Sequence, residues 1–227
     1  MTTRQETMTP MPLTLQQVDA DGAIREAMDA VQGDTRAAFL AKAGFLGGGL
    51  LGGAALLGLM EDEAAAQSLA RSDISILNYA LTLEYLEAAF YTEAVRKGAL
   101  SGELALFARV AGGHERAHVA ALKQVLGRRA VRRPRFDFRG TTESRAKFRA
   151  TAIVLEDTGV SAYAGQAPRV KADAVLEAAL AIHTVEARHA AWIRDIAGED
   201  PAPRAFDRPK SKRAVLRAVA QTRFIRG

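Results

Sequence analysis

From Asp73 to the end of the chain, apolar positions recur three and four residues apart, and no alternating strand pattern of any length interrupts them. Four long helices are predicted. The first covers residues 73–97 and stops at Gly98. The second, 101–126, opens on Ser101 with Glu103 in its first turn and ends at Gly127. The third, 142–163, opens on Thr142 as cap. The fourth, 172–197, stops at Gly198, with Pro201 and Pro203 beyond it, and a shorter basic helix follows at 211–222. Connection lengths then set the topology. The few residues between the first two helices force antiparallel neighbours. The segment 127–141, with Pro134 and Gly140, reaches about 50 Å when extended, enough to run back along a long helix. The expected fold is all-α: a four-helix bundle of two helical hairpins joined by a long crossover, plus a short C-terminal helix.

The chain before Asp73 reads differently. Residues 1–34 form a polar leader with a short helical pattern around Ile24–Val31. Residues 35–66 form a Gly-rich hydrophobic segment. Within it, Phe39–Met60 carries only Lys42 as a charge and, as a helix, would span roughly 33 Å. Its seven glycines each cost about 1 kcal/mol relative to Ala in a soluble helix. Such a run suits an export signal better than a core helix. The order Thr35-Arg36-Ala37-Ala38-Phe39-Leu40-Ala41-Lys42 resembles a twin-arginine signal, with Ala37 in place of the second Arg. An uncleaved membrane anchor and an ordinary packed segment are the alternatives. The expected location is exported, periplasmic or extracellular, with membrane anchoring and a cytoplasmic location as the competing readings. The expected organisation is leader 1–34, signal or anchor 35–66, bundle 73–200 and basic C-terminal segment 201–227.

Composition narrows the chemistry. The 227 residues are 48% hydrophobic and 25% charged, which excludes global disorder and leaves ample core. With no Cys, thiolate metal sites and a Cys nucleophile are excluded. The formal charge of +5 is unevenly spread. The stretches 123–135 and 204–227 are strongly basic, so the rest of the chain is acidic. The run Arg128-Arg129-Ala130-Val131-Arg132-Arg133-Pro134-Arg135 lacks interleaved aromatics, and no groove-reading motif accompanies it. No specific nucleic-acid partner is expected. A solvated crossover, or contact with anionic lipid head groups or a second copy of the chain, fits it better.

The second helix carries the stripe Leu104, Ala108, Ala111, Glu115, His118, Leu122, Val125. The fourth carries Val175, Ala179, Ile182, Glu186, His189, Ile193, Ile196. Both are core seams with a Glu and a His at the centre, where Leu or Ile would be expected. A lone carboxylate there costs several kcal/mol unless protonated or paired. A cation held by both helices removes that penalty. Fourteen Glu and four His scattered at random over 227 residues would form such an i, i+3 pair about 0.25 times, so two central pairs are not an accident of composition.

The other two helices each offer a carboxylate. On the third, Glu156 shares a face with Ile153, Val160 and Tyr163; on the first, both Glu84 and Glu87 lie in a wide apolar face. An internal repeat chooses between the last two. Glu156 precedes Tyr163 by seven residues and Glu186 by thirty; Glu84 precedes Tyr91 by seven and Glu115 by thirty-one. Glu87 has Ala94 at the first offset, which leaves it as an alternate ligand or the partner of an Arg. The expected metal ligands are Glu84, Glu115, His118, Glu156, Glu186 and His189, in two hairpins related by a pseudo-two-fold axis.

Four carboxylates balance two dications, and oxygen and nitrogen donors suit iron, or else manganese. This is the ligand set of ferritin-like di-iron and di-manganese proteins, which the chain resembles. More closely it resembles the desiccation-related group of ferritin-like proteins. The resemblance rests on Ile76-Leu77-Asn78-Tyr79-Ala80-Leu81-Thr82-Leu83-Glu84-Tyr85-Leu86-Glu87, and on His114-Glu115 with His118. It also rests on Leu155-Glu156-Asp157-Thr158-Gly159-Val160 with Ala162-Tyr163, and on Thr184-Val185-Glu186-Ala187-Arg188-His189-Ala190-Ala191-Trp192. Pro201-Ala202-Pro203 with Ala205-Phe206-Asp207 fits as well. It implies a ferritin-like bundle linked loosely to stress and oxidant tolerance; no substrate follows from the resemblance.

Two functions follow as expectations. In the first, two divalent ions react with a small oxidant, O2 or peroxide, as in a ferroxidase-, peroxidase- or catalase-like oxidoreductase. In the second, an exported stress-protective structural protein uses its metals only to stabilise the bundle. His114 and His183 are expected to be structural, and Trp192 to be packing. Tyr91 and Tyr163 either orient a carboxylate or fill the core. Asp157 should point away from the seam.

Overall fold

The computed structural model describes residues 69–226. The expectations for the leader 1–34 and the signal-like segment 35–66 lie outside the described residues. Five helices follow in order: α1 (Arg71–Lys97), α2 (Gly102–Leu126), α3 (Arg145–Gln166), α4 (Asp173–Ala197) and α5 (Lys212–Thr222). α1 packs on α2 and α3 on α4, and the crossover 127–144 joins the hairpins. The fold is the all-α four-helix bundle with a short C-terminal helix. Among the described residues, no helix is long and apolar enough to cross a membrane.

Helix ends follow local chemistry, and the structure departs from expectation in three places, two of them at helix starts. α1 closes on Gly98, left-handed at φ 69°, after Arg96 and Lys97, whose charges favour a helix C-terminus. α3 starts three residues later than expected, at Arg145, because Ser144 is its cap and accepts the Lys147 N–H. Thr142, the expected cap, is buried and donates instead to Glu93 (2.7 Å). Ser101 precedes α2 but makes no capping bond; its hydroxyl is engaged by Arg145. α4 has no cap of its own. The buried Asp73 carboxylate instead accepts the N–H groups of Lys171 (3.1 Å) and Ala172 (3.0 Å), just ahead of its first turn.

The third departure is a small sheet. Arg135–Phe136 (β1) in the crossover pairs antiparallel with Ile225–Arg226 (β2) at the end of the chain, Arg135 opposite Arg226. Two residues per strand leave no periodicity for a sequence to display. Asn78 holds the start of the crossover, donating to the Arg129 carbonyl (2.9 Å) and accepting the Val131 N–H (2.7 Å).

The core has two unlike ends. On one side Phe90, Tyr91, Phe107 and Phe148 pack edge-on or stacked, with ring centroids 5.0–6.0 Å apart, and Phe138 closes them off. On the other side the helices present Ala80, Ala121, Leu122, Tyr163 and Ile182 around a narrow apolar cleft of about 620 Å³, its mouth included. Between these ends lies a layer of buried acids.

Candidate metal centre

Glu84 on α1, Glu115 on α2, Glu156 on α3 and Glu186 on α4 are fully buried, and His118 and His189 nearly so. Each sits at the middle of its helix on the seam. The approach of α1 to α2 depends on Gly112, where a Cβ would stand 2.8 Å from Tyr91 Cβ.

Donor atoms of these six residues fall into two groups, each with all its atoms within 4.8 Å of one another. Glu84, Glu115, His118 and Glu186 form one; Glu115, Glu156, Glu186 and His189 form the other. Glu115 and Glu186 belong to both. All six residues expected from the sequence are therefore brought together. The two Glu-x-x-His helices supply the shared carboxylates, and α1 and α3 supply one private carboxylate to each group.

Both imidazoles turn Nδ1 inward. His118 Nδ1 lies 3.1 Å from Glu84 and Glu115 and 3.3 Å from Glu186. His189 Nδ1 lies 3.1 Å from Glu115 and 3.4 Å from Glu156. Close approach does not satisfy every atom. Glu115 Oε1, Glu156 Oε2, both Glu186 oxygens and His189 Nδ1 are buried without a hydrogen bond. Unpaired polar atoms inside a protein are costly, and these five all lie in the second group. A dication at their centre would satisfy them together. The donor set, carboxylate oxygen and imidazole nitrogen, fits first-row divalent ions.

Protonation shows how the chain carries these groups without a cation. Burial, reinforced by Glu115, pushes Glu84 up to about 7 against the pull of His118. Burial and the carboxylates of Glu115 and Glu84 raise Glu186 well above its ordinary value. Burial also acts on Glu115, but the adjoining imidazoles of His118 and His189 outweigh it and hold that carboxyl below the usual range. For the imidazoles burial disfavours charge, yet Glu84 raises His118 strongly and Glu156 raises His189 to about 11. Protons thus stand in for positive charge at the centre, and a metal would have to displace them.

A second layer fixes the first. Tyr163 on α3 donates to Glu84 Oε1 (2.6 Å), and Tyr91 on α1 donates to Glu156 Oε1. The tyrosine seven residues after each private carboxylate serves the other hairpin's carboxylate, so both orient ligands. His114, expected to be structural, shares a 2.8 Å hydrogen bond between its Nδ1 and His189 Nε2, and its ring stacks on His189. Its own surface is exposed, which links a buried ring to the rim of the bundle. The only sequence sign was adjacency to Glu115. His183 lies outside both donor groups. Asp157 points away from the seam, as expected, and pairs with Arg194. Trp192 packs on Phe107 and donates to Glu103 (2.9 Å).

Fold and site together define a four-helix bundle with a buried carboxylate–histidine cluster that could hold metal ions. The chain belongs to the ferritin-like domain family, whose model matches residues 72–199. No curated protein matches the sequence.

Proposed function

We propose that this protein is a dinuclear metal carboxylate protein of the ferritin-like type that reacts with O2 or peroxide in oxidative or desiccation stress. Its two ions are divalent, iron in preference to manganese. One observation carries the proposal: two four-residue donor groups share Glu115 and Glu186, and buried atoms that lack hydrogen bonds converge there. When bound, the ions would supply electrons to a small oxidant.

The chain's own contribution is positional. Glu115 and Glu186, common to the two donor groups, would serve both ions, Glu84 with His118 one of them, and Glu156 with His189 the other. Tyr163 and Tyr91 hold the private carboxylates in one orientation, and His114 does the same for the His189 ring. Apolar walls on both sides limit water at the centre and favour a small, uncharged oxidant. The Gly-rich run in 35–66 supports an exported location, tested by fractionating cells that express the full chain.

The deciding experiment is elemental mass spectrometry on protein purified without chelators, wild type beside Glu115→Ala/His189→Ala. Two Fe or Mn per chain, lost in the double variant, is the expected result, followed by oxidant consumption by the loaded wild type. Absence of stoichiometric metal overturns the dinuclear proposal. Two ions without any oxidant consumption leave the metals as structural elements of the bundle.

A further inference from the structure

We propose that Glu87 is a fifth carboxylate of the metal centre, binding on the side where Glu186 faces Gly159; this rests on the dinuclear proposal above. Glu87 follows Glu84 by one helical turn on α1 and is 3% exposed. It stands outside both donor groups, and among the described residues no Lys or Arg forms an ion pair with it. A buried acid without a cation is destabilising, so its presence on a core seam calls for a compensating charge.

The pseudo-two-fold shows where that charge would be. The position equivalent to Glu87 on α3, three residues after Glu156, is Gly159. A Cβ there would lie 3.0 Å from Glu186 Oε2 and 3.5 Å from Glu87 Oε1. The repeat therefore breaks in a complementary way: one hairpin adds a carboxylate, and the other removes a side chain from the space that carboxylate borders. The neighbouring Glu186 has both oxygens buried and unpartnered. Glu87 thus shares one notch with a carboxylate common to both donor groups.

The added ligand changes the charge the centre prefers. Four carboxylates with neutral imidazoles balance two dications. Five balance one trivalent and one divalent ion, a bias toward the more oxidised pair and toward ions that favour oxygen.

The test uses Glu87→Gln in the full chain, with cobalt(II) as a coloured probe. Gln matches the shape of a protonated Glu but is a far weaker metal ligand. Wild type should take two Co(II) per chain. The variant should still take two, with one bound about tenfold or more weakly and with an altered visible spectrum. Gly159→Ala, which crowds the same oxygens, should change the spectrum as well. Identical titrations and spectra for wild type and Glu87→Gln would overturn the role of Glu87 alone. A wild type that fails to take two ions overturns the centre and Glu87 with it.

Discussion

Tyr163 donates its hydroxyl to Glu84 Oε1 across 2.6 Å of buried space, from one helical hairpin to the other. The bond fixes a carboxylate beside the cleft and ties α3 to α1. Tyr163→Phe keeps the ring and removes the donor. The variant should lose about 1–3 kcal/mol of stability, because a buried oxygen loses its partner. Urea titration of the metal-free chain checks the loss, and metal affinity should weaken roughly tenfold or more.

Acid–base behaviour follows from two raised groups. Glu84 titrates near 7 against an ordinary 4.5, and His189 near 11 against 6.5. Each holds more proton folded than unfolded, so the stability it contributes is complete below the unfolded value. That contribution is lost as pH rises, over about 4.5 to 7 for Glu84 and about 6.5 to 11 for His189. His118 and Glu186 shift in the same direction. Glu115 is shifted the other way and matters only in acid, where its contribution disappears. Metal-free protein should therefore melt at progressively lower temperature from pH about 6 to about 9, while metal affinity rises over that range. A flat or rising melting curve would exclude a protonated cluster.

Gly112 is required by a contact rather than by a turn. Gly112→Ala sets a Cβ 2.8 Å from Tyr91 Cβ, both on rigid helices. The expected cost is about 1–3 kcal/mol of overpacking. The displaced Tyr91 should also loosen its bond to Glu156, so thermal denaturation and metal titration should both respond. A change in neither would place the two helices farther apart than the structure has them.

Asp73 ties the start of α1 to the start of α4 through two backbone N–H groups. Asp73→Ala removes the acceptor of both N–H groups and should cost roughly 1–2 kcal/mol, the loss of hydrogen bonds to a charged group. Amide exchange at Lys171 and Ala172 should accelerate in the variant well before the rest of α4 is affected. Uniform exchange along α4 would contradict a local role.

The six residues of the two donor groups were legible because each lies on a helical seam, where period alone separates inside from outside. The offset of seven from Glu to Tyr was legible too, as half of an internal repeat. That each tyrosine serves the opposite hairpin was not, because the repeat carries no record of which helix of one hairpin faces which helix of the other. His114 lies off the seam and its partner is 75 residues away, so its role exists only in three dimensions. Ser101 and Thr142 fit the capping pattern, but their hydroxyls are engaged by Arg145 and Glu93. Competition from distant side chains leaves no trace in local sequence. The break at Gly159 was visible as a letter, but only the neighbouring carboxyl groups give it meaning.

The unlike ends of the core have a consequence for the pair of ions the centre would hold. The ligands obey a pseudo-two-fold, but their surroundings do not. Glu84 looks through Tyr163 toward an apolar cleft; Glu156 looks through Tyr91 into packed rings, and His189 leans on Phe107 and His114. Two ions of the same element would sit in inequivalent seats, with two binding constants and two spectra. Loading would proceed in order, one seat before the other.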